Sequence, residues 1–198
     1  FKEQRGNEVW HPDSTYMPLA SKAGMLCAIT VPSSGGETEL AETRAAYDAL
    51  DDDLKRQISK LSAYHSLYAS SAKLRYVIET GSGYGYHTEA VPLRPLVKVH
   101  PVTGRNALCI RRHTYRIPGM DDAAALALLD ALVEQACAAP RIYTHRWSPG
   151  DLVVWDNRCV PHRARPYDYN EPRVLRTTRI AGDPASDLAS TDADERAH

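Results

Sequence analysis

The chain has 198 residues, with 24 Lys and Arg against 25 Asp and Glu, for a formal net charge of −1 at pH 7. One domain of that size buries roughly 70% of its unfolded surface without disulfide staples, and a near-neutral balance supplies no basic footprint for nucleic acid and no polybasic patch for a membrane. Composition therefore points to a small-molecule or protein partner, and a small-molecule substrate is the one expected here. The four cysteines (Cys27, Cys109, Cys137 and Cys159) form no C-x-x-C, which argues against a zinc ribbon or disulfide framework and for buried thiols in a reducing, cytoplasmic compartment.

In chain order, Trp10-His11-Pro12-Asp13-Ser14-Thr15-Tyr16 comes first. On an extended segment an H-x-D pair puts the imidazole and the carboxylate on one side, because strand side chains alternate with period two. Residues 23–32 read as a buried strand closed by Pro32, and Ser33-Ser34-Gly35-Gly36 as a turn. Thr43–Leu50 reads as a short helix with Thr43 as its cap. A second helix starts at Asp51-Asp52-Asp53, carries Leu54, Ile58 and Leu61 at helical spacing, and has its acidic residues at the favourable end. Residues 61–69 read as a strand. Periodicity is then lost from Ser70 to Val91 around Gly-Ser-Gly-Tyr-Gly-Tyr at 81–86. A stretch of that kind is expected to be a lid or binding loop, with functionless disorder the alternative, and Tyr84 and Tyr86 either close over substrate or are exposed loop aromatics.

Leu96–His100 and Ala107–Ile110 flank a Pro-Val-Thr-Gly turn as a hairpin. Asp121-Asp122 opens an Ala- and Leu-rich helix that runs to about Ala139, before Pro140. Arg141–Trp147, Asp151–Trp155 and Arg173–Ile180 read as strands, and from Gly182 a polar, frayed tail is expected. The reading is thus one domain over residues 1–182 with a tail at 183–198. It is mainly β with flanking helices, a double-sheet barrel of jelly-roll type.

Two ligands are not a metal site, and the third on offer is His162, in W-D-N-R-C-V-P-H-R. Two His and one carboxylate on one face, with three positions open, form the facial triad of non-haem Fe(II) oxygenases. Eleven residues later comes Arg173, and period two puts Arg173, Leu175, Thr177 and Arg179 on one face with Arg176 on the other. A guanidinium there suits bidentate capture of a carboxylate. The open positions call for a chelating co-substrate, and 2-oxoglutarate matches.

These motifs carry a resemblance. W-H-P-D-S-T-Y (10–16), V-P-S-S-G-G-E-T-E (31–39), T-R-A-A-Y-D-A-L (43–50), P-L-V-K-V-H-P-V-T-G (95–104), G-D-L-V-V-W-D-N-R-C-V-P-H-R (150–163) and R-V-L-R (173–176) are similar to the taurine dioxygenase/2,4-dichlorophenoxyacetate dioxygenase family of Fe(II)/2-oxoglutarate oxygenases. Within it, P-L-R-P-L-V-K-V-H-P, I-P-G-M-D and W-D-N-R-C-x-x-H-R-A resemble the aryloxyalkanoate (phenoxypropionate) branch. The resemblance implies a double-stranded β-helix, and His11, Asp13 and His162 as iron ligands. It implies that Arg173 and Thr38 hold the C5 carboxylate of 2-oxoglutarate, and that Asn7 faces substrate.

The implied reaction consumes O2, releases succinate and CO2, and hydroxylates a small anionic molecule, cleaving an ether where hydroxylation falls beside its oxygen. Asp13 argues against the halogenase variant, which replaces the carboxylate with a small residue. Two departures stand out. Family members carry a segment before H-x-D, so an N-terminal stretch is expected upstream of Phe1. Members with anionic substrates often have a second Arg four residues after the first; here that position is Thr177, and Arg179 is the nearest inward-facing replacement. Sulfonate, alkyl sulfate and amino-acid-derived substrates therefore stay open, as does a non-catalytic metal-binding jelly roll. A homo-oligomer is expected.

Overall fold

The computed structural model describes residues 6–73, 79, 81, 83–86, 89–110 and 112–191. Strands β1 (Ser21–Thr30) and β2 (Thr38–Ala41) precede two short helices, α1 (Thr43–Asp48) and α2 (Asp52–Ile58). Then come β3 (Ser62–His65), α3 (Leu67–Lys73), β4 (Pro92–Pro95), β5 (Val97–Val99), β6 (Asn106–Leu108), β7 (Thr114–Arg116) and the longest described helix, α4 (Asp122–Ala136). The series ends with β8 (Ile142–His145), β9 (Leu152–Asp156), β10 (His162–Ala164), β11 (Val174–Ala181), α5 (Pro184–Asp187) and β12 (Ser190–Thr191).

The protein is mainly β with a few helices. Among the described residues, β1 is the centre of one sheet, ordered β11-β1-β9, and β2 the centre of another, ordered β10-β2-β8. A third has the order β12-β4-β3-β7, and β5 pairs with β6. All these pairings are antiparallel. The β5–β6 pair is the hairpin expected around Pro-Val-Thr-Gly, with Val97 opposite Leu108.

The main apolar core lies on the helical side. Ala125, Leu129, Leu132 and Ala136 form the buried stripe of α4 and pack with Ile58, Leu96, Leu108, Ile110 and Ile117. Asp121 caps that helix by accepting from the N–H groups of Ala123 and Ala124 at 3.0 Å, and the helix ends three residues short of Ala139. Asp51 caps α2 through Leu54 N–H at 2.8 Å.

Three local expectations change. The cap of α1 is Glu42, which accepts from Arg44 N–H at 2.9 Å. Thr43 is instead wholly buried, and its hydroxyl donates to the Cys159 carbonyl at 2.8 Å. The strand read over 61–69 stops at His65 and turns into α3, where Ser66 Oγ accepts from Ala69 N–H at 3.2 Å. The stretch after Gly182 is tied down as far as Thr191. Asp183 caps α5, Asp187 is 1% exposed and paired with Lys98 at 3.0 Å, and β12 pairs with β4. Composition reads as a tail, but a single buried ion pair and a few ladder bonds suffice to hold it; residues 192–198 lie outside the described ones.

Leu129 is 2% exposed at the centre of the main core. Leu129→Ala should lower unfolding free energy by about 2–5 kcal/mol through lost burial and a residual cavity, read as a shifted urea midpoint; a loss below about 1 kcal/mol would contradict the packing described.

Candidate metal centre

Residue 11 meets residue 162 directly. His11 N–H donates to the His162 carbonyl at 3.0 Å and His162 N–H to the His11 carbonyl at 2.9 Å. This narrow antiparallel bridge puts both side chains on one face, with ring centroids 4.4 Å apart. Asp13, two residues on, returns to the same face. One ligand atom from each of His11, Asp13 and His162 lies within 4.8 Å of the others, and the three residues are 7%, 6% and 7% exposed. His11 Nδ1 contacts the Val9 carbonyl at 2.7 Å. A carbonyl only accepts, so Nδ1 carries the proton and Nε2 keeps its lone pair for a metal. Two imidazoles and a carboxylate, gathered and buried, fit a divalent transition metal by donor type.

His162 is backed by Trp155, with ring centroids 4.5 Å apart. Trp155 lies across Gly24, its cross-strand partner, where an added Cβ would sit 2.3 Å from the indole. The glycine in β1 thus leaves room for the indole, which packs tilted at 51° behind a candidate ligand.

Electrostatics favour the metal-binding protonation states. Burial lowers the His11 pKa below its ordinary 6.5, against an opposing pull from Asp13. Burial alone would raise the Asp13 pKa, but His162, Arg179 and His11 outweigh it and hold the carboxyl below its ordinary 3.8.

The other wall of the cleft, about 270 Å³ in volume, comes from β11 and its entry. Arg173, Leu175, Thr177 and Arg179 all line it, while Arg176 pairs opposite Cys27 on the alternate phase. Thr38 lies opposite Ala164, two residues beyond His162, and both line the cleft. Trp147 Nε1–H donates to Thr38 Oγ1 at 3.0 Å, which occupies a lone pair and leaves the hydroxyl proton to be donated. Arg173 donates from Nε and Nη2 to the Gly36 carbonyl at 3.1 and 2.9 Å. An added Cβ at Gly36 would come within 3.0 Å of that guanidinium, and its φ is +69°, so the Gly-Gly turn makes room for the arginine. Neither Glu171 nor Asp168 pairs with Arg173: Glu171 accepts from Ser33 N–H and Oγ, and Asp168 from Asn170. Burial lowers the Arg173 pKa, against an opposing pull from Tyr167.

Arg179, read as substrate-facing, lines the cleft, but its Nε also pairs with Asp13 Oδ1 at 3.0 Å. Its guanidinium stands 5.5 Å from the centroid of the Tyr84 ring, and Tyr84 reaches Ser14 Oγ at 2.8 Å. The glycine-rich stretch therefore touches the metal segment through Tyr84, whereas Tyr86 bonds Ser71 Oγ at 3.0 Å, away from the cleft. Asn7 is exposed at the cleft rim.

Pattern reading missed Arg94. Only 4% exposed, it donates to the carbonyls of Thr15, Met17, Pro18 and Asp187 at 2.9, 2.8, 3.1 and 3.0 Å, locking the chain just after Asp13. An arginine in an otherwise apolar P-L-R-P-L-V segment was the available signal. The remaining described histidines do not join the triad. His100 donates to Asp156 at 2.9 Å and accepts from Val102 and Thr103 N–H at 3.3 and 3.2 Å. Arg158 clamps Asp156 at 2.9 and 2.7 Å, so the imidazole and the carboxylate of the His100/Asp156/Cys159 cluster already have hydrogen-bond partners. His145 pairs with Asp151 at 3.1 Å, and His113 bonds Ser70 Oγ at 3.1 Å. His65 is buried, and His87 lies outside the described residues.

Residues 1–179 match the family profile described as "Taurine catabolism dioxygenase TauD, TfdA family". The chain belongs to that family. Among TauD/TfdA relatives, an (S)-phenoxypropionate/alpha-ketoglutarate-dioxygenase of Sphingobium herbicidovorans is 52% identical over 96% of this chain and 67% of its own length. An alpha-ketoglutarate-dependent 2,4-dichlorophenoxyacetate dioxygenase of Cupriavidus pinatubonensis is 40% identical over 89% of this chain and 61% of its own. The crystal structure of AAD-2 in complex with Mn(II) and N-oxalylglycine superposes with a TM-score of 0.84 at 39% identity, covering 91% of this chain and 71% of that one. The chain thus spans about two thirds of the length of these TauD/TfdA relatives. No described helix is long and apolar enough to cross a membrane.

The two shifts set the pH dependence of the metal-free fold. Below pH 6.5 the unfolded chain binds a proton that folded His11 refuses, so stability falls as pH drops through that value. The depressed Asp13 pKa adds stability present above 3.8 and lost as pH falls further, through its folded value. Urea midpoints measured with chelator should decline below pH 6.5, and His11→Gln should flatten the upper part of that decline.

Proposed function

We propose that this chain is an Fe(II)- and 2-oxoglutarate-dependent dioxygenase that hydroxylates aryloxyalkanoate acids, with 2-oxoglutarate leaving as succinate and CO2. Hydroxylation at the carbon bearing the ether oxygen gives a hemiacetal, whose C–O bond breaks to leave the phenol and the corresponding 2-oxo acid. One observation carries this reading: His11, Asp13 and His162 share a single cleft with Thr38 and Arg173. A metal triad and a carboxylate anchor in one cavity suit a chelating dicarboxylate. The antiparallel sheets centred on β1 and β2, with cleft residues drawn from both, support a double-stranded β-helix.

Each residue then has a part. His11, Asp13 and His162 hold the iron. Bound iron supplies O2 activation at the expense of 2-oxoglutarate. Arg173 offers its fork to the distal carboxylate, whose charge relieves the burial of the guanidinium, and the Thr38 hydroxyl donates to the same group. Leu26, Leu175 and Trp155 line the cleft and keep water from the reacting carbon. Arg179 uses Nε on Asp13, and its outer nitrogens take the substrate carboxylate with help from Asn7 at the rim.

Incubation with Fe(II), 2-oxoglutarate and a panel of aryloxypropionates, aryloxyacetates and alkyl sulfates should release succinate and a phenol together with an aryloxyalkanoate. No succinate with any acid would sink the proposal; turnover of alkyl sulfates alone would move the substrate class. Arg173→Ala should raise the KM for 2-oxoglutarate at least roughly 30-fold, since truncating one partner of a buried charged pair costs about 2–5 kcal/mol. Arg179→Ala should instead raise the KM for the acid substrate and spare that for 2-oxoglutarate; unchanged acid KM removes Arg179 from substrate binding.

A further inference from the structure

Asn157 lies five residues before His162 and is 2% exposed. Its side chain does not face the cleft. Its Oδ1 accepts from Asp13 N–H at 2.8 Å, and its Nδ2 donates to the Asp13 carbonyl at 2.9 Å and the Ser21 carbonyl at 2.8 Å. Its own N–H donates to the Lys22 carbonyl at 2.9 Å. The partners fix which end of the amide is which, because one is a donor and two are acceptors. No other side chain of that size offers one acceptor and two donors from a single planar group.

Asp13 needs such a grip. The next residue, Ser14, has φ +60° without being glycine, a left-handed conformation that costs free energy and persists only where its surroundings hold it. Asp13 has no strand ladder of its own. The amide of Asn157 replaces one, pairing with both its N–H and its C=O as a neighbouring strand would. The Asp156–Val160 turn that carries Asn157 also leads into His162, and is tied to α1 by Thr43 N–H and Oγ1 on the Cys159 carbonyl at 3.0 and 2.8 Å.

We propose that Asn157 is a positioning residue for the metal: it fixes the Asp13 peptide, and so the aim of the Asp13 carboxylate, relative to His162. This rests on the reading that His11, Asp13 and His162 bind the ion. It distinguishes Asn157 from a merely buried polar residue, because its loss must weaken metal binding and not only the fold.

The test uses the full chain, stripped with chelator, with Mn(II) binding followed by electron paramagnetic resonance and thermal midpoints measured on the same samples. The variants are Asn157→Ala, Asn157→Asp and Thr43→Val. Asn157→Asp keeps the volume and the acceptor for Asp13 N–H but loses both donors; if Asn157→Ala does not fold, it carries the test. Thr43→Val removes a buried hydrogen bond from the same turn without touching Asp13. Loss of partners behind a metal ligand lowers affinity about 10- to 100-fold. That drop is expected for the Asn157 variants, with Thr43→Val within about twofold of the unaltered chain at a comparable loss of midpoint. A folded Asn157 variant with unaltered Mn(II) affinity overturns the inference, as does an equal loss in Thr43→Val. If the unaltered chain binds no Mn(II), the triad reading falls and takes this inference with it.

Discussion

Two backbone hydrogen bonds between His11 and His162 decide the geometry of the cleft. Residues far apart in sequence become directly opposed, so their side chains need no further adjustment to share a face. Two residues beyond the bridge, Asp13 on one side and Ala164 in β10 on the other join the same face, and β2 lays Thr38 beside them. A one-residue slip of this bridge would turn an imidazole out of the cleft. The surrounding structure makes such a slip costly: β10 is held in register with β2, and Trp155 is wedged between Gly24 and the His162 ring.

Buried polar groups hold the segment after Asp13 where apolar packing is thin. Arg94 satisfies four carbonyls with one guanidinium, and Asp187 receives Lys98 in a nearly sealed position. Fully satisfied networks of this kind specify one arrangement, because any alternative strands a charge or a carbonyl away from water. Arg179 plays a comparable part at the cleft mouth, where it compensates the Asp13 carboxylate and rests on Tyr84.

Much of this was legible in the residues. Alternation along β11 predicted that Arg173, Leu175, Thr177 and Arg179 would share a face, and they do. The hairpin around Pro-Val-Thr-Gly and the acid-capped helices were readable because local chemistry determines them. The strand read as buried over 23–32 instead runs over Ser21–Thr30 and leaves Ile29 45% exposed, because its neighbours in the sheet cover its edges rather than its faces. Hidden features depend on contacts between distant residues. Nothing near Arg94 announces that its acceptors lie at residues 15–18 and 187, and Ala-Gly-Asp-Pro-Ala-Ser-Asp looks like solvated tail until Asp187 meets Lys98. The Asn157 amide sat in plain view within W-D-N-R, but its partners are 144 and 136 residues away. Helix α3 was obscured because Ser66-Leu67-Tyr68-Ala69-Ser70 shows no helical stripe, and its cap comes from Ser66.

The anchoring of residues 182–191 has a consequence for biosynthesis. Gly182 N–H and Ala189 N–H donate to Ala20 and Pro18, and Asp187 accepts from Ala20 and Arg94. A chain emerging N-terminus first cannot close these contacts until residues 182–191 have been made. The helical core around α4 draws on residues 46–136 and can collapse early. The His11 segment must wait, first for His162 and then for the hook that follows β11. The cleft therefore closes after that core, once residues 182–191 can reach the segment that follows Asp13.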